Sequence, residues 1–213
     1  MADSKIALCN MALQHLAVSK EIASFTDKVK EARVCNRFYN QVRDEVLRDF
    51  PWPFATRFVN LQVVEENPTT EWLFSYRYPP NCSKLRRLLN QVSRNETRKT
   101  RVPHRTGQDD QGILIFTDLV NAQAEYTYLV DDPTKYPADF AQSFALLLAT
   151  YIAPGVTSGD QFKLGARAMQ LYQWRTNAAR TNGLSEEQDD LPPESDLLSS
   201  REGDCEDSRW TFR

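Results

Sequence analysis

The chain has 213 residues, 41% of them hydrophobic and 26% charged, with a net charge of -3. That length can bury a real core and fits one domain with room for an appendage, and the composition is globular rather than disordered. The small negative charge gives no general case for nucleic-acid binding, and no stretch is long enough to cross a bilayer, so a soluble protein is expected.

Asp3 or Ser4 is placed to cap a first helix, about residues 4–17, with Ile6, Cys9, Leu13 and Leu16 on one face. Thr26 or Asp27 should open a longer helix to residue 50, where Ala32, Cys35, Phe38, Tyr39, Val42 and Val46 repeat every three or four positions. The stretch "RDFPWPFATRF" ends it. Pro51 and Pro53 cannot continue a helix, and Trp52, Phe54 and Phe58 bring a large apolar surface to the same corner. A junction of stiff and bulky residues predicts a fixed angle between two elements, with Trp52 buried.

From Arg57 the period changes to two, with Val59, Leu61 and Val63 alternating against Asn60 and Gln62, which predicts a strand. "WLFSYRYPP", "GILIFTD" and "AEYTYLV" read as further strands, and "KLRRLLN" as a strand or a short helix, together a small antiparallel sheet over about 56–130. Helical spacing returns at 138–153 with Phe140, Phe144, Leu147 and Tyr151 on one stripe and Ala141, Ala145 and Ala149 allowing close approach of a neighbour. "APGVTSGD" should break it. A last helix, about 160–181, is capped by Asp160, carries Phe162, Ala166, Met169 and Tyr172, and stops at Asn182 and Gly183. Residues 184–213 form an extended tail whose acidic residues face a single basic one, Arg201, until "SRWTFR" sets Trp210 and Phe212 between Arg209 and Arg213.

Chemistry is sparse in these residues. The four cysteines, Cys9, Cys35, Cys82 and Cys205, lack the paired spacing of a zinc or redox site and read as free thiols of a reducing compartment. Neither His15 nor His104 has metal-ligand spacing, there is no glycine-rich phosphate loop, and Asp131 with Asp132 beside a proline reads as a turn, so no catalytic residue, metal or cofactor is expected. One local feature stands out. From Lys84 to Arg105 the chain holds Lys84, Arg86, Arg87, Arg94, Arg98, Lys99, Arg101 and Arg105 against Glu96 alone. It reads as a loop or hairpin meeting phosphate or an acidic protein surface, or as a solvated edge strand protected by its charges. A partner is the preferred reading, because the acidic tail of a neighbouring copy could meet it.

The order of "ALQHL", "FYNQVRDEVL", "FPWPFA", "YRYPPNCSKL", "IFTD" and "AEYTYLVDDPTKYPADFAQSFALLLATYIA" resembles the head-to-tail adaptor family of tailed bacteriophages, the tail tubular A or tail accessory proteins. The resemblance spans about Ser4 to Asn182 and rests on no catalytic signature. It implies an α+β protein that is mainly α, an antiparallel helical bundle with a small antiparallel β region and an extended C-terminal tail. Residues 1–183 would be the adaptor domain. It also implies a homo-oligomeric ring of twelve copies in the virion neck, made in the host bacterial cytoplasm, beneath the portal protein. The ring would extend the DNA channel without reading sequence and would dock the tail nozzle or another tail protein.

On that reading Arg209, Trp210, Phe212 and Arg213 dock on the portal or a neighbouring subunit. Arg94, Arg98, Lys99, Arg101 and Arg105 form a projecting loop that contacts the tail or a neighbour, since dense arginine in a lumen would hold phosphate and impede sliding DNA. Pro51, Trp52, Pro53 and Phe54 form a structural corner that sets the angle between portal-facing and tail-facing parts. The alternatives are another phage neck component, such as a tail terminator or completion protein, and a nucleic-acid-binding module using the basic stretch with Trp72, Tyr76 and Tyr78.

Overall fold

The computed structural model describes residues 4–89, 101–159 and 163–186. Among them are four α-helices, α1 (Lys5–His15), α2 (Lys30–Asp49), α3 (Ala138–Val156) and α4 (Leu164–Glu186). Seven strands lie between α2 and α3: β1 (Thr56–Asn60), β2 (Val63–Glu66), β3 (Phe74–Arg77), β4 (Cys82–Leu88), β5 (Arg105–Asp109), β6 (Gly112–Thr117) and β7 (Gln123–Tyr128). They form two antiparallel sheets, one of three strands in the order β1-β7-β4 and one of four in the order β2-β3-β6-β5.

The expectation of a mainly helical bundle with a small β region is therefore corrected. The β region is two sheets with a core of its own, formed by Leu61, Tyr76, Leu88, Ile115, Ala122 and Ala124. The sequence understates it for a physical reason. β2 is exposed along its whole length and β5 along most of it, so neither carries the alternation that marks a half-buried strand.

The helices gather around α3, which packs against α1, α2 and α4 and is buried on nearly every side from Phe140 to Ala153. Ala141, Ala145 and Ala149 are all buried, and their small side chains bring neighbouring helices close. α2 turns Ala32, Cys35, Tyr39, Val42 and Val46 inward, the three-and-four spacing of its sequence.

Helix ends depart from expectation where local polar groups choose other partners. Asp27 does not open α2; its carboxylate accepts from the backbone N–H groups of Ala23 and Ser24 at 2.9 and 3.0 Å, and the helix begins at Lys30. α3 runs three residues past 153, carrying Pro154 within it, and ends at Val156, inside the stretch expected to break it. α4 buries Ala168, Tyr172, Thr176 and Ala179, leaves Ala166 exposed, and continues through Gly183 to Glu186. Asp160 and Phe162 lie outside the described residues.

Candidate functional site

The corner after α2 joins the helical layer to the sheets, and its chemistry follows from the prolines. The last four carbonyls of a helix have no partner within it, and the following N–H groups ordinarily meet some of them. Pro51 and Pro53 have no N–H to give. The Trp52 N–H turns back instead to the Phe50 carbonyl at 2.9 Å. The donors come from side chains. Trp52 Nε1 donates to the Val46 carbonyl at 2.8 Å, and Arg86 Nη2, from β4, donates to those of Leu47 and Phe50 at 3.0 and 2.8 Å. Lys84 Nζ reaches the Arg48 carbonyl at 3.4 Å, and Arg86 Nε also bonds Thr127 Oγ1 on β7 at 2.7 Å. Cations at a helix C-terminus also face the negative end of its dipole. Burial lowers the Arg86 pKa from its ordinary value, with Glu125 foremost among the charges that oppose the shift.

Around this terminus the aromatic rings interlock. Trp52 is 3% exposed and meets Phe50 and Phe140 edge-on at 5.1 and 5.2 Å. Half-buried Phe54 packs on Phe140 at 5.0 Å and on Tyr136 at 5.9 Å, while Pro53 is exposed and Pro51 half-buried. Within the Pro51–Phe54 corner it is Trp52 and Phe54 that meet α2, α3 and the turn before α3.

A second tie lies at the turn before α3. The Asp131 carboxylate accepts from Lys5 of α1 at 2.8 and 2.9 Å and from buried Arg43 of α2. The hydrogen bond from Lys5 does most to hold the Asp131 carboxyl below the usual carboxylate range, with Arg43 adding its charge. Asp132 accepts from the Thr134 N–H and hydroxyl at 3.1 and 2.7 Å and caps the short 3-10 turn Pro133–Lys135. The two acids have separate structural partners.

The basic stretch divides. Lys84 and Arg86 serve the α2 terminus, and Arg87 bonds Glu125 within the three-stranded sheet. Arg101 is exposed ahead of β5, and Arg105 opens β5 at the edge of the four-stranded sheet, 4.0 Å from Glu71. Arg94, Arg98 and Lys99 lie outside the described residues, as do Arg209, Trp210, Phe212 and Arg213. Of the aromatics proposed for base stacking, Tyr76 is fully buried with its hydroxyl donating to the Leu119 carbonyl at 2.6 Å, and the Tyr78 hydroxyl accepts from the Leu85 N–H at 3.0 Å. Trp72 is half-buried.

Several exposed apolar side chains were not anticipated from the sequence. Trp174 on α4 is 67% exposed and, with Asp139, Arg175, Ala178 and Ala179, lines a shallow cleft of about 140 Å³; Leu171 is exposed nearby in the same helix. A tryptophan two positions past Tyr172 falls off the apolar stripe, and that was the available signal. Phe58, expected at the corner, is instead 58% exposed on β1, an outer strand of the three-stranded sheet, and Val63 and Val64 are exposed on β2, an outer strand of the four-stranded sheet. No cluster of three or more His, Cys, Asp or Glu able to hold a metal occurs among the described residues, and no described helix is long and apolar enough to cross a membrane. No protein-family model matches the sequence, and no curated protein matches it.

Proposed function

We propose that the chain is a structural virion protein of a tailed bacteriophage, a head-to-tail adaptor that forms a ring beneath the portal. It performs no reaction. The ring prolongs the DNA channel and presents a platform for the tail nozzle or another tail protein. The reading is supported by the ordered motifs that resemble the family and by one observation above the others: the three-stranded sheet is bound to helix α2 through a corner whose donors come from both Trp52 and the strand residue Arg86. A connector must hold its two ends at one angle, and a helix terminus capped by a neighbouring strand does so. Exposed apolar side chains on α4 and on the outer strands β1 and β2 offer contacts for partners on both the helical and the β part.

Twelve copies, the neck as the location and the bacterial cytoplasm as the site of synthesis come with the resemblance. The tail residues Arg209, Trp210, Phe212 and Arg213 are proposed to dock on the portal or an adjacent copy, as aromatics beside arginine commonly anchor interfaces. Arg94, Arg98, Lys99, Arg101 and Arg105 are proposed to meet the tail or a neighbour.

Electron microscopy of the chain mixed with portal rings tests the proposal. A second ring added coaxially is the expected result, and a monomer that ignores the portal would sink it. A chain cut after Glu186, which keeps all of α4, should lose portal attachment; unchanged affinity would remove the C-terminal residues from the interface.

A further inference from the structure

We infer that copies of this chain join edge to edge through the four-stranded sheet, with β2 of one copy pairing antiparallel to β5 of the next. Both outer strands of that sheet lack a strand partner among the described residues. An antiparallel sheet with an even number of strands has outer strands that run in opposite directions. A copy placed head to tail therefore continues the sheet with the same antiparallel pairing.

The charges on the two edges match that arrangement. Glu65 pairs with Ser75, Ser75 with Phe116 and Phe116 with Arg105, so one row across the sheet starts on an acid and ends on a base, both on the same face. Continuing the sheet without a register shift sets Glu65 of one copy directly opposite Arg105 of the next, the placement in which opposite charges stabilise a strand pair. The neighbouring row, Val63–Tyr76–Ile115–Thr106, sets Val63 opposite Thr106 in the same way. Within one chain Arg105 faces Glu71 at 4.0 Å with both side chains 72% exposed, a contact too long and too wet to hold the guanidinium.

Edge protection alone accounts for glutamates on a short bulged strand. It does not account for Val63 and Val64, 46% and 44% exposed on that strand, or for the opposite sign at the far end of the same row. Pairing β2 with β2 instead would bring Glu65 and Glu66 toward their own copies. A head-to-tail contact also leaves one edge of each kind unfilled until a ring closes. The inference concerns how copies meet and does not depend on what the assembly serves.

Two full-length variants, Glu65→Cys and Arg105→Cys, are oxidised separately and together, with the native chain as control for its own cysteines. Three strand spacings of about 4.8 Å separate the two positions within a chain, so a bond between them forms only between copies. The expected result is a disulfide dimer containing one of each variant, found in the mixture and in neither variant alone. A mixture no more cross-linked than the separate variants would overturn the inference, as would a Glu65→Cys chain that links to itself. Without added thiols, Glu65→Arg and Arg105→Glu should each weaken self-association about tenfold, and the doubly reversed chain should recover it. A double variant no better than the singles would also refute the pairing.

Discussion

Replacing Arg86 with methionine keeps the unbranched stem of the side chain and removes the guanidinium with its donors. Arg86 makes three hydrogen bonds, at 3.0 Å to the Leu47 carbonyl, 2.8 Å to the Phe50 carbonyl and 2.7 Å to Thr127 Oγ1. Bonds from a charged donor contribute about 1.5–3 kcal/mol each, an upper sum of roughly 5–9 kcal/mol. Two effects reduce it. The Phe50 carbonyl keeps the Trp52 N–H at 2.9 Å, and methionine no longer has to bury a guanidinium whose charged form its surroundings already disfavour. What remains is chiefly the orphaned Leu47 carbonyl at the end of α2 and a lost bond to buried Thr127, a net cost of about 2–3 kcal/mol. Urea titration followed by far-ultraviolet circular dichroism should then show a midpoint lowered by about 1 M. Lys84→Met is the control, because its 3.4 Å bond is exposed and should be worth less than about 0.5 kcal/mol. Arg86→Met indistinguishable from the native chain, or Lys84→Met just as costly, would refute the account of the α2 terminus.

Trp52→Ala should destabilise by roughly 3–5 kcal/mol, since the ring is buried against Phe50 and Phe140; Trp52→Phe should cost less, and a near-neutral alanine variant in the same titration would place the ring at a surface. Because the Asp131 pKa is lowered on folding, its stabilising effect is present above about pH 4 and fades as pH falls through the lower folded value. Asp131→Asn should therefore cost about 1 kcal/mol at pH 7, solvent limiting the effect at a side chain 60% exposed, and the difference should shrink at pH 3; a gap independent of pH would be evidence against the ion pair. Thiol alkylation of the folded chain read by mass spectrometry should modify half-buried Cys82 before Cys9 and Cys35, which are both buried; early modification of Cys9 would contradict that.

Periodicity made α2 and α3 legible, because burial there repeats with the turn of the helix. The same logic failed at the sheets. Val59, Leu61 and Val63 alternate as one strand would, yet β1 ends at Asn60 and β2 begins at Val63 in the other sheet and is exposed along its length, so two sheets with their own core read as one small region. Asp27 shows a different limit: an aspartate can accept from N–H groups on either side of it, and composition does not say which. Among site residues, Pro51 and Pro53 announced that α2 would end without its usual donors, yet nothing near them names Arg86, 36 residues beyond Phe50. Counting Lys84, Arg86 and Arg87 as surface charge followed from reading charge along the chain, where only the folded pairing shows which cations face a helix end.

The corner is thus more than a stiff stretch of chain. Prolines fix backbone angles at two positions, but they do not set the direction in which a sheet leaves a helix. That direction comes from exchange of donors. Pro51 removes the N–H that the Leu47 carbonyl would meet four residues on, and Arg86 donates to that carbonyl while bonded to Thr127 on β7, with Trp52 Nε1 adding a bond to the Val46 carbonyl one residue earlier. Helix α2 and the three-stranded sheet are therefore held by bonds that neither could satisfy alone. Arg86 ties that sheet to α2, and the contact of Trp52 with Phe140 ties the same corner to α3. The end of the helix and the angle of the sheet are one structural decision, and substitutions at Arg86 should disturb both together.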